Sequence, residues 1–273
     1  RFEDLVAYGG WSMDDHHPSG FRHSGEPTIF HPAPSPYGIP YRCLYSKNIN
    51  NLFFAGRNIS ATHAAMSSAR VMATCALSGQ AVGTAASLAA GSSLSPRGVY
   101  QHKLEQLKHT LMDDDCYLPW NRRKVPGLTV GASMDASEGD PGPLRNGIDR
   151  PVLDNDNGWS CGPGGWVEYR FNSPTQLNEA RLVFDSNLNR RKMYMTNFYH
   201  LEMKTETVPG TLVKSFRIEA ANSDGSWKTV SSEANNYQRL VRVPLNIRTS
   251  AIRVVPLSTW GAKNAHLFAF DVK

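Results

Sequence analysis

The sequence has few cysteines and lacks the patterns that give cysteine a function. Cys43, Cys75, Cys116 and Cys161 lie far apart, with no CxxC pair and no histidine at metal-ligand spacing. Cys75 lies among apolar residues and is expected to pack as a small hydrophobic side chain. We therefore expect no metal site. The cysteines leave the cellular compartment open.

Two further absences exclude classes of partner. No apolar run reaches membrane-spanning length, because the small-residue region 58–95 is interrupted by His63, Arg70 and Gln80. The net charge of +5 is mild, and the basic residues are scattered rather than collected in a long stripe. We therefore expect neither a membrane span nor a nucleic-acid partner. A hydrophobic content of 40% and a charged content of 19% are typical of a folded globular chain.

Residues 51–90 contain the most informative pattern. The apolar run 52–55 predicts a short buried strand that ends at Gly56, where the missing Cβ permits unusual backbone angles. The Ala-, Leu- and Met-containing segment that follows predicts a helix, which we expect to be buried all round. Small residues recur on one face of this helix at steps of four, three and four, at Met72, Ala76, Gly79 and Gly83. Such a face allows another backbone, or a flat ligand, to approach closely.

Arg70 is the only charged residue between Arg57 and Arg97. A buried charge is costly unless an anionic group accompanies it. A structural carboxylate and a bound ligand both satisfy that requirement, and the residues themselves leave the choice open.

The string LFFAGRNISATHAAMSSARVMATCALSGQAVGTAA, residues 52–86, closely resembles the C-terminal flavin-binding segment of FAD-dependent oxidoreductases with the glutathione-reductase-like fold. The resemblance implies that the strand ending in Gly-Arg lies beside the ribityl chain and phosphates of FAD. It also implies that the following helix points its N-terminus at the pyrimidine edge of the flavin, where its dipole stabilises negative charge. The cofactor-binding residues that it implies are Gly56, Arg57, Ser60, Gly79, Gln80 and Gly83.

Residues 1–50 are rich in proline, which predicts extended and turning chain rather than helix. Proline-rich chain is often simply a loop. However, GGWSMDDHHPSGF and YGIPYRCLYS resemble segments on the substrate side of the flavin pocket in the same family. The catalytic candidates are His16, His17, His63 and Arg70. Imidazole transfers protons near neutral pH, whereas Arg70 would hold an anionic or polar substrate or stabilise the reduced flavin; each histidine also fits a structural role.

A second helix, followed by a change from helical to strand-like sequence pattern, defines the domain boundaries. Ser95 and Pro96 predict a helix start, and a face of Tyr100, Leu104, Leu107 and Leu111 predicts its continuation. We expect residues 1–112 to be the C-terminal portion of an oxidoreductase domain, residues 113–125 a connector, and residues 126–273 a β-sandwich.

Residues 126–273 contain short strand-like runs separated by Gly, Asn, Pro and Ser, the pattern of an antiparallel β-sandwich. The runs from NGIDRPV to HLFAFDV resemble a galactose-binding-like (discoidin-type) jelly roll. The resemblance implies either carbohydrate binding through loops at one end or a purely structural role as a brace. The loop candidates are Asn155, Asp156, Asn157, Gly158, Trp159, Arg190, Arg191, Lys192, Tyr194 and Trp260. Trp159 and Trp260 also fit core positions.

The expected fold class is α+β, mainly β, with an incomplete FAD-binding α/β portion followed by a jelly-roll sandwich. The sequence contains no GxGxxG turn of the kind that holds the pyrophosphate of a dinucleotide. We therefore expect a C-terminal fragment of an FAD-dependent oxidoreductase that is inactive alone and that needs a separate N-terminal FAD-binding portion. The expected substrate is a small polar molecule, with carbohydrate as a candidate class. The alternative is a carbohydrate-binding module with no catalytic role.

Overall fold

The computed structural model describes residues 1–188 and 208–273. They form an N-terminal unit, Arg1–Arg123, and a C-terminal unit, Lys124–Lys273. Each unit has its own hydrophobic core, and the predicted fold class, α+β and mainly β, is confirmed. Within the described residues no single helix is long and apolar enough to cross a membrane. Among the described helices, only the consecutive pair His63–Ala69 and Met72–Gly91 is long and apolar enough when the two are taken together, and this pair is bent by 96°.

The N-terminal unit is built from short strands followed by helices. The strands are β1 (Leu5–Gly9), β2 (Met13–His16), β3 (Thr28–His31) and β4 (Tyr37–Pro40). The helices are α1 (His63–Ala69), α2 (Met72–Gly91), α3 (Pro96–His102) and α4 (Leu104–Asp113). β1 pairs antiparallel with β4, and β2 pairs antiparallel with β3. The core is formed by side chains from β1, β4, α2 and α4. Residues 1–50, all of them described, contain no α-helix, as their prolines predict.

The predicted strand over residues 52–55 is wrong. Phe53 makes an isolated antiparallel bridge to Tyr45, and the run packs against the core as a half-buried loop. A short apolar run forms a strand only where a neighbouring strand accepts its hydrogen bonds, and that partner is not a local property. Gly56 has a φ of +88° with open space where a Cβ would stand. Its backbone conformation, rather than a close approach, therefore requires glycine.

The prediction that the small-residue helix is buried all round is also wrong. The helical segment is interrupted at Arg70 and Val71, between α1 and α2. The buried face of α2 carries Thr74, Ser78, Ala81, Ala85 and Ala89. The predicted small-residue face is largely exposed, with Met72 89% accessible to solvent. An evenly apolar helix has no polar side to indicate which face the fold will cover.

The predicted helix start at Ser95 is confirmed. The Ser95 hydroxyl oxygen accepts a hydrogen bond of 3.1 Å from the Gly98 N–H, and Pro96 is the first helical residue. The helix breaks at Lys103 into α3 and α4. Leu107 and Leu111, on the predicted apolar face, are fully buried.

The C-terminal unit is a seven-stranded antiparallel sheet folded around one core. It begins with the short helix α5 (Gly127–Gly131), and its strands are β5 (Ser133–Ala136), β6 (Trp159–Cys161), β7 (Val167–Phe184), β8 (Val213–Ala221), β9 (Trp227–Glu233), β10 (Leu240–Thr259) and β11 (Ala265–Val272). The strand order is β6-β11-β7-β10-β8-β9, and β5 also pairs with β7. The predicted antiparallel β-sandwich is confirmed.

Two pairs of runs that the sequence separates are continuous strands. Runs 166–171 and 180–185 both belong to β7, and runs 239–245 and 251–257 both belong to β10. The β7–β10 register shifts next to Pro174, which lies between the paired residues Arg170 and Thr175. Proline has no N–H group to donate, and at this register shift Pro174 is not paired with a residue of β10, so the missing donor breaks no hydrogen bond between the strands. The strand therefore passes through a residue that normally ends one.

Candidate functional site

A polar pocket of ≈ 380 Å³ lies in the N-terminal unit beside α1 and the β2–β3 hairpin. It is lined by Met13, Asp14, Asp15, His16, His31, His63, Ala64, Ser67 and Arg70. Three of the four catalytic candidates, His16, His63 and Arg70, therefore line one pocket.

Asp14 joins two of these candidates. Arg70 Nη2 donates a hydrogen bond of 2.7 Å to the backbone carbonyl oxygen of Asp14 and lies 3.8 Å from its Oδ2. The same Oδ2 lies 3.1 Å from His16 Nε2. Asp14 Oδ1 is buried and has no hydrogen-bond partner within the part of the chain that the structure describes. Asp14 is thus the carboxylate that accompanies Arg70, and it leaves one buried oxygen for a further polar group.

The helix that follows Arg70 begins without a side-chain cap. Thr62 Oγ1 accepts a hydrogen bond of 3.2 Å from the Ala65 N–H and caps α1. Val71, at the N-cap position of the 20-residue helix α2, provides no side-chain hydrogen bond. Among the described residues, no side chain caps the first N–H groups of α2, and the positive end of the helix dipole lies next to Arg70.

The structure separates His17 from the other candidates. Its ring stacks on His23 with centroids 3.6 Å apart, and its Nδ1 accepts a hydrogen bond from the Ser19 N–H. Sequence reasoning missed Asp14 and His31 as pocket residues. The signal for Asp14 was available, because alternate residues of a strand share a face and Asp14 is two residues from His16. His31 lies in the pocket because β3 pairs with β2, with His31 opposite Met13, and the sequence does not reveal this pairing.

A second polar pocket, also of ≈ 380 Å³, lies at one end of the C-terminal unit. It is lined by Pro151, Leu153, Asp154, Asn155, Asp156, Asp185, Asn187 and His266. His266 Nδ1 lies 3.1 Å from Asp185 Oδ2, and its Nε2 lies 3.0 Å from Asp156 Oδ2. Two of the predicted loop residues, Asn155 and Asp156, therefore line this pocket.

The predicted aromatic residues have different environments. Trp159 is 2% exposed, and its Nε1 donates a hydrogen bond of 2.7 Å to the Glu138 carbonyl oxygen, so it is a core residue. Trp260 is half-buried, and its ring lies 4.6 Å from the ring of Tyr237, which is 57% exposed. Sequence reasoning missed Tyr237. The candidates Arg190, Arg191, Lys192 and Tyr194 lie outside the described residues.

Residues 1–111 match the family model for FAD dependent oxidoreductases. The resemblance of this part of the chain to that family, which the sequence motifs indicated, is thereby confirmed. No curated protein gives a significant match.

Several solved structures that are similar to this chain are carbohydrate-binding modules. The family 32 module from Streptococcus pneumoniae EndoD is 17% identical with a TM-score of 0.39, covering 54% of this chain and 97% of the module. Chitosan-binding module 1 from a Paenibacillus sp. IK-5 chitosanase/glucanase is 15% identical with a TM-score of 0.38, covering 54% of this chain and 97% of the module. The family 32 module of C. perfringens NanJ, in complex with galactose, is 9% identical with a TM-score of 0.37, and the match covers 53% of this chain and 95% of the module.

The residues implied to hold FAD lie outside the polar pocket of the N-terminal unit. Gly56, Arg57 and Ser60 belong to the loop before α1, and Arg57 and Ser60 are exposed. Ser60 lines an apolar cavity of ≈ 370 Å³ on the other side of α1, together with Cys43 and Ala65. Burial and the nearby Asp4 raise the pKa of the Cys43 thiol, which keeps it protonated at neutral pH.

The remaining cofactor candidates lie on α2. Gln80 and Gly83 are exposed and Gly79 is half-buried. Within the described part of the chain, a Cβ added at either glycine would meet no heavy atom of another element within 4 Å. The open small-residue face, the uncapped start of α2 and the exposed Arg57 are the features that an anionic, flat cofactor requires. The residues present therefore fit FAD.

Proposed function

We propose that the N-terminal unit is the C-terminal, substrate-side part of an FAD-dependent oxidoreductase. The observation that carries the proposal is the convergence of His16, His63 and Arg70 on one pocket at the uncapped start of α2. Bound FAD would supply the capacity for hydride transfer to or from a substrate. The chain's own residues would bind that substrate, move its proton and balance charge.

Each pocket residue has a role that its chemistry supports. Arg70 provides a guanidinium for an anionic or polar substrate group, or for the negative charge of the reduced cofactor. His63, at the exposed start of α1, and His16 provide imidazoles that accept or donate a proton. Asp14 orients Arg70 and His16 through its carbonyl and carboxylate oxygens.

We further propose that Gly56, Arg57 and Ser60, with Gly79, Gln80 and Gly83, contact FAD. Arg57 would pair with a phosphate, and the small residues would admit the cofactor close to the backbone. Because these residues are mostly exposed, the chain alone would cover FAD from one side only. We therefore expect the activity to reside in a longer protein in which a dinucleotide-binding unit completes the site.

Replacing Arg57 with alanine in such a full-length protein is expected to weaken FAD binding by about tenfold or more. The reason is the loss of one charge-assisted contact. Flavin fluorescence titration measures the affinity. The matched control is Arg97→Ala, which removes an exposed arginine on α3 and should leave FAD affinity unchanged. Equal affinity of the Arg57→Ala and wild-type proteins would remove Arg57 from the cofactor site. A chain of residues 1–273 that purifies yellow with about one FAD would contradict the need for a further unit.

A second candidate function, carbohydrate binding, is proposed for the C-terminal unit. Its support is the combination of a polar pocket with an exposed aromatic ring at the same end of the sandwich. Asn236 Nδ2 donates to the Val213 carbonyl oxygen, and Phe184 N–H donates to the Arg239 carbonyl oxygen. These bonds bring the loop that carries Tyr237 to the end of β7, where Asp185 begins the pocket wall. Polar groups that fix hydroxyls beside a stacking ring are what a sugar requires.

Titration of the 273-residue chain with mono- and oligosaccharides is expected to show saturable binding that Tyr237→Ala abolishes. The aromatic face removed by that substitution supplies the stacking contact. The matched control is Trp227→Ala at the opposite end of β9, whose ring is already covered by the Arg253 guanidinium at 4.1 Å. Calorimetry reports the affinity. Absence of binding by the wild-type chain would contradict a carbohydrate-binding role for this unit.

A further inference from the structure

His266 bridges two separate segments of the C-terminal unit. It lies near the start of β11, and its side chain is 15% exposed. Asp185 follows β7, whereas Asp156 belongs to the loop before β6, and each presents one carboxylate oxygen to a different ring nitrogen. Imidazole donates from both nitrogens only when it carries its second proton. The geometry therefore selects the imidazolium form of His266.

The loop backbone is in direct contact with the ring. A Cβ added at Gly158 would overlap His266 Nε2 and would lie 2.9 Å from the Leu267 carbonyl oxygen. Leu153 and Asn157, in the same loop, adopt φ angles of +53° and +59°. Such conformations cost energy for non-glycine residues and persist only where surrounding contacts hold them. The bond from Asp156 to His266 is such a contact.

We propose that His266 is a pH-sensitive clamp that fastens the loop of residues 151–158 to the end of β7. In the clamped state both carboxylates are joined through one imidazolium. When the ring loses a proton it can donate to only one of them, and the exposed Asp156 is the partner that is released. The clamp acts on the unliganded chain and therefore stands independently of carbohydrate binding.

The charged groups around the ring set the pH range. Burial by itself lowers the pKa of His266, but its contacts with Asp185 and Asp156 outweigh burial and raise it above the ordinary 6.5. Burial raises the pKa of Asp185, but His266, the Asn187 N–H and Arg239 outweigh burial and lower it below 3.8. Asp154 adds a further carboxylate to the pocket wall.

The sign of the pH dependence follows from these directions. The pKa of His266 is higher in the folded protein than its value of 6.5 in the unfolded chain. The stabilisation by its charged form is therefore complete below pH 6.5 and is lost as the pH rises through the pKa of the folded state. The pKa of Asp185 is lower in the folded protein than its value of 3.8 in the unfolded chain. The stabilisation by its carboxylate form is therefore complete above pH 3.8 and is lost as the pH falls through the pKa of the folded state. The clamp is therefore closed at mildly acidic pH and loosens on the alkaline side.

Release of the loop would alter the polar pocket of the C-terminal unit. The loop supplies Pro151, Leu153, Asp154, Asn155 and Asp156 to its wall. The pocket is consequently well formed at mildly acidic pH and loses a wall as His266 becomes neutral. Any ligand that uses the wall would bind more weakly at higher pH.

Amide hydrogen exchange of the 273-residue chain tests the clamp. Protection of residues 152–158, corrected for the intrinsic exchange rate, is expected to fall by about tenfold between about pH 5 and about pH 9, the factor for one charge-assisted hydrogen bond. His266→Gln cannot titrate and is expected to show low protection that does not change with pH. The control His102→Gln, at the exposed end of α3, should behave as wild type.

A second variant keeps the test decisive if His266→Gln does not fold. Asp156→Asn retains a hydrogen-bond acceptor but removes one negative charge, so the protection transition is expected to move to lower pH. Constant protection in the wild-type chain would overturn the proposal. Persistent pH dependence in His266→Gln, or an unmoved transition in Asp156→Asn, would overturn it as well.

Discussion

Replacing Arg181 with leucine is expected to lower the free energy of unfolding of the C-terminal unit by about 3–5 kcal/mol. Arg181 lies in β7 and is 2% exposed. Its Nη1 lies 2.9 Å from Asp149 Oδ2 and 3.4 Å from Asp271 Oδ2, and both aspartates are buried. Leucine fills the space of the side-chain stem but removes the cation that two buried carboxylates share. An uncompensated buried charge costs far more than the ion pair contributes.

Hydrogen exchange of the β7 and β10 amides measures this loss, because core amides exchange through unfolding of the unit that contains them. The control is Arg242→Leu on the neighbouring strand, directly opposite Arg181 in the sheet. Arg242 Nη1 lies 2.9 Å from Glu179 Oε1 in a partly exposed pair, so its loss is expected to cost only about 0–1 kcal/mol. Adding Asp149→Asn and Asp271→Asn to Arg181→Leu should recover part of the stability. Equal losses for the two arginines would contradict the argument from burial.

Replacing Arg70 with methionine in an FAD-loaded full-length protein is expected to lower turnover by about 10²-fold. The substitution removes the positive charge that lies beside the uncapped start of α2 and hydrogen-bonds to the Asp14 carbonyl oxygen. If Arg70 stabilises the negative charge of the reduced cofactor, the midpoint potential of the flavin should fall by about 30–60 mV. If it binds substrate instead, KM should rise with the potential unchanged.

Two companion variants separate these roles. Arg70→Lys retains the charge but loses the planar fork, so the potential should be preserved while binding of an anionic substrate weakens. His63→Gln removes a titrating group and is expected to lower turnover by about 10²-fold without moving the potential. Wild-type turnover, KM and potential in Arg70→Met would reduce Arg70 to a structural partner of Asp14.

The features that sequence predicted well are those set by neighbouring residues. The start of α3 followed from Ser95 and Pro96, because a cap bonds to an N–H three residues away. In β8, the burial of the alternate residues Phe216, Ile218 and Ala220 agrees with the two-residue period of a strand. The grouping of His16, His63 and Arg70 followed only from resemblance, since no local pattern connects β2 to α1.

Long-range partners account for what the sequence did not reveal. Residues 52–55 have strand-like composition, but within residues 1–188 and 208–273 they pair only through the isolated bridge from Phe53 to Tyr45. By contrast, β7 continues past Pro174, where its register with β10 shifts. Glu219 alternates with the core-facing residues of β8, yet it is buried as well, with Arg253 Nε 2.5 Å from its Oε2. Hydrophobic period identifies a candidate face, but the side chains that cover it come from elsewhere in the chain.

The sequence by itself determined the two-part organisation, the strand-rich character of the C-terminal unit and the oxidoreductase-like segment, because composition, period and contiguous motifs are local properties. The tertiary structure decided which faces and charges meet. His266 contacts Asp185 and Asp156 from 81 and 110 residues away, and Arg70 contacts Asp14 from 56 residues away. Such contacts depend on strand pairing and chain reversal rather than on neighbouring residues, so they appear only once the chain has folded.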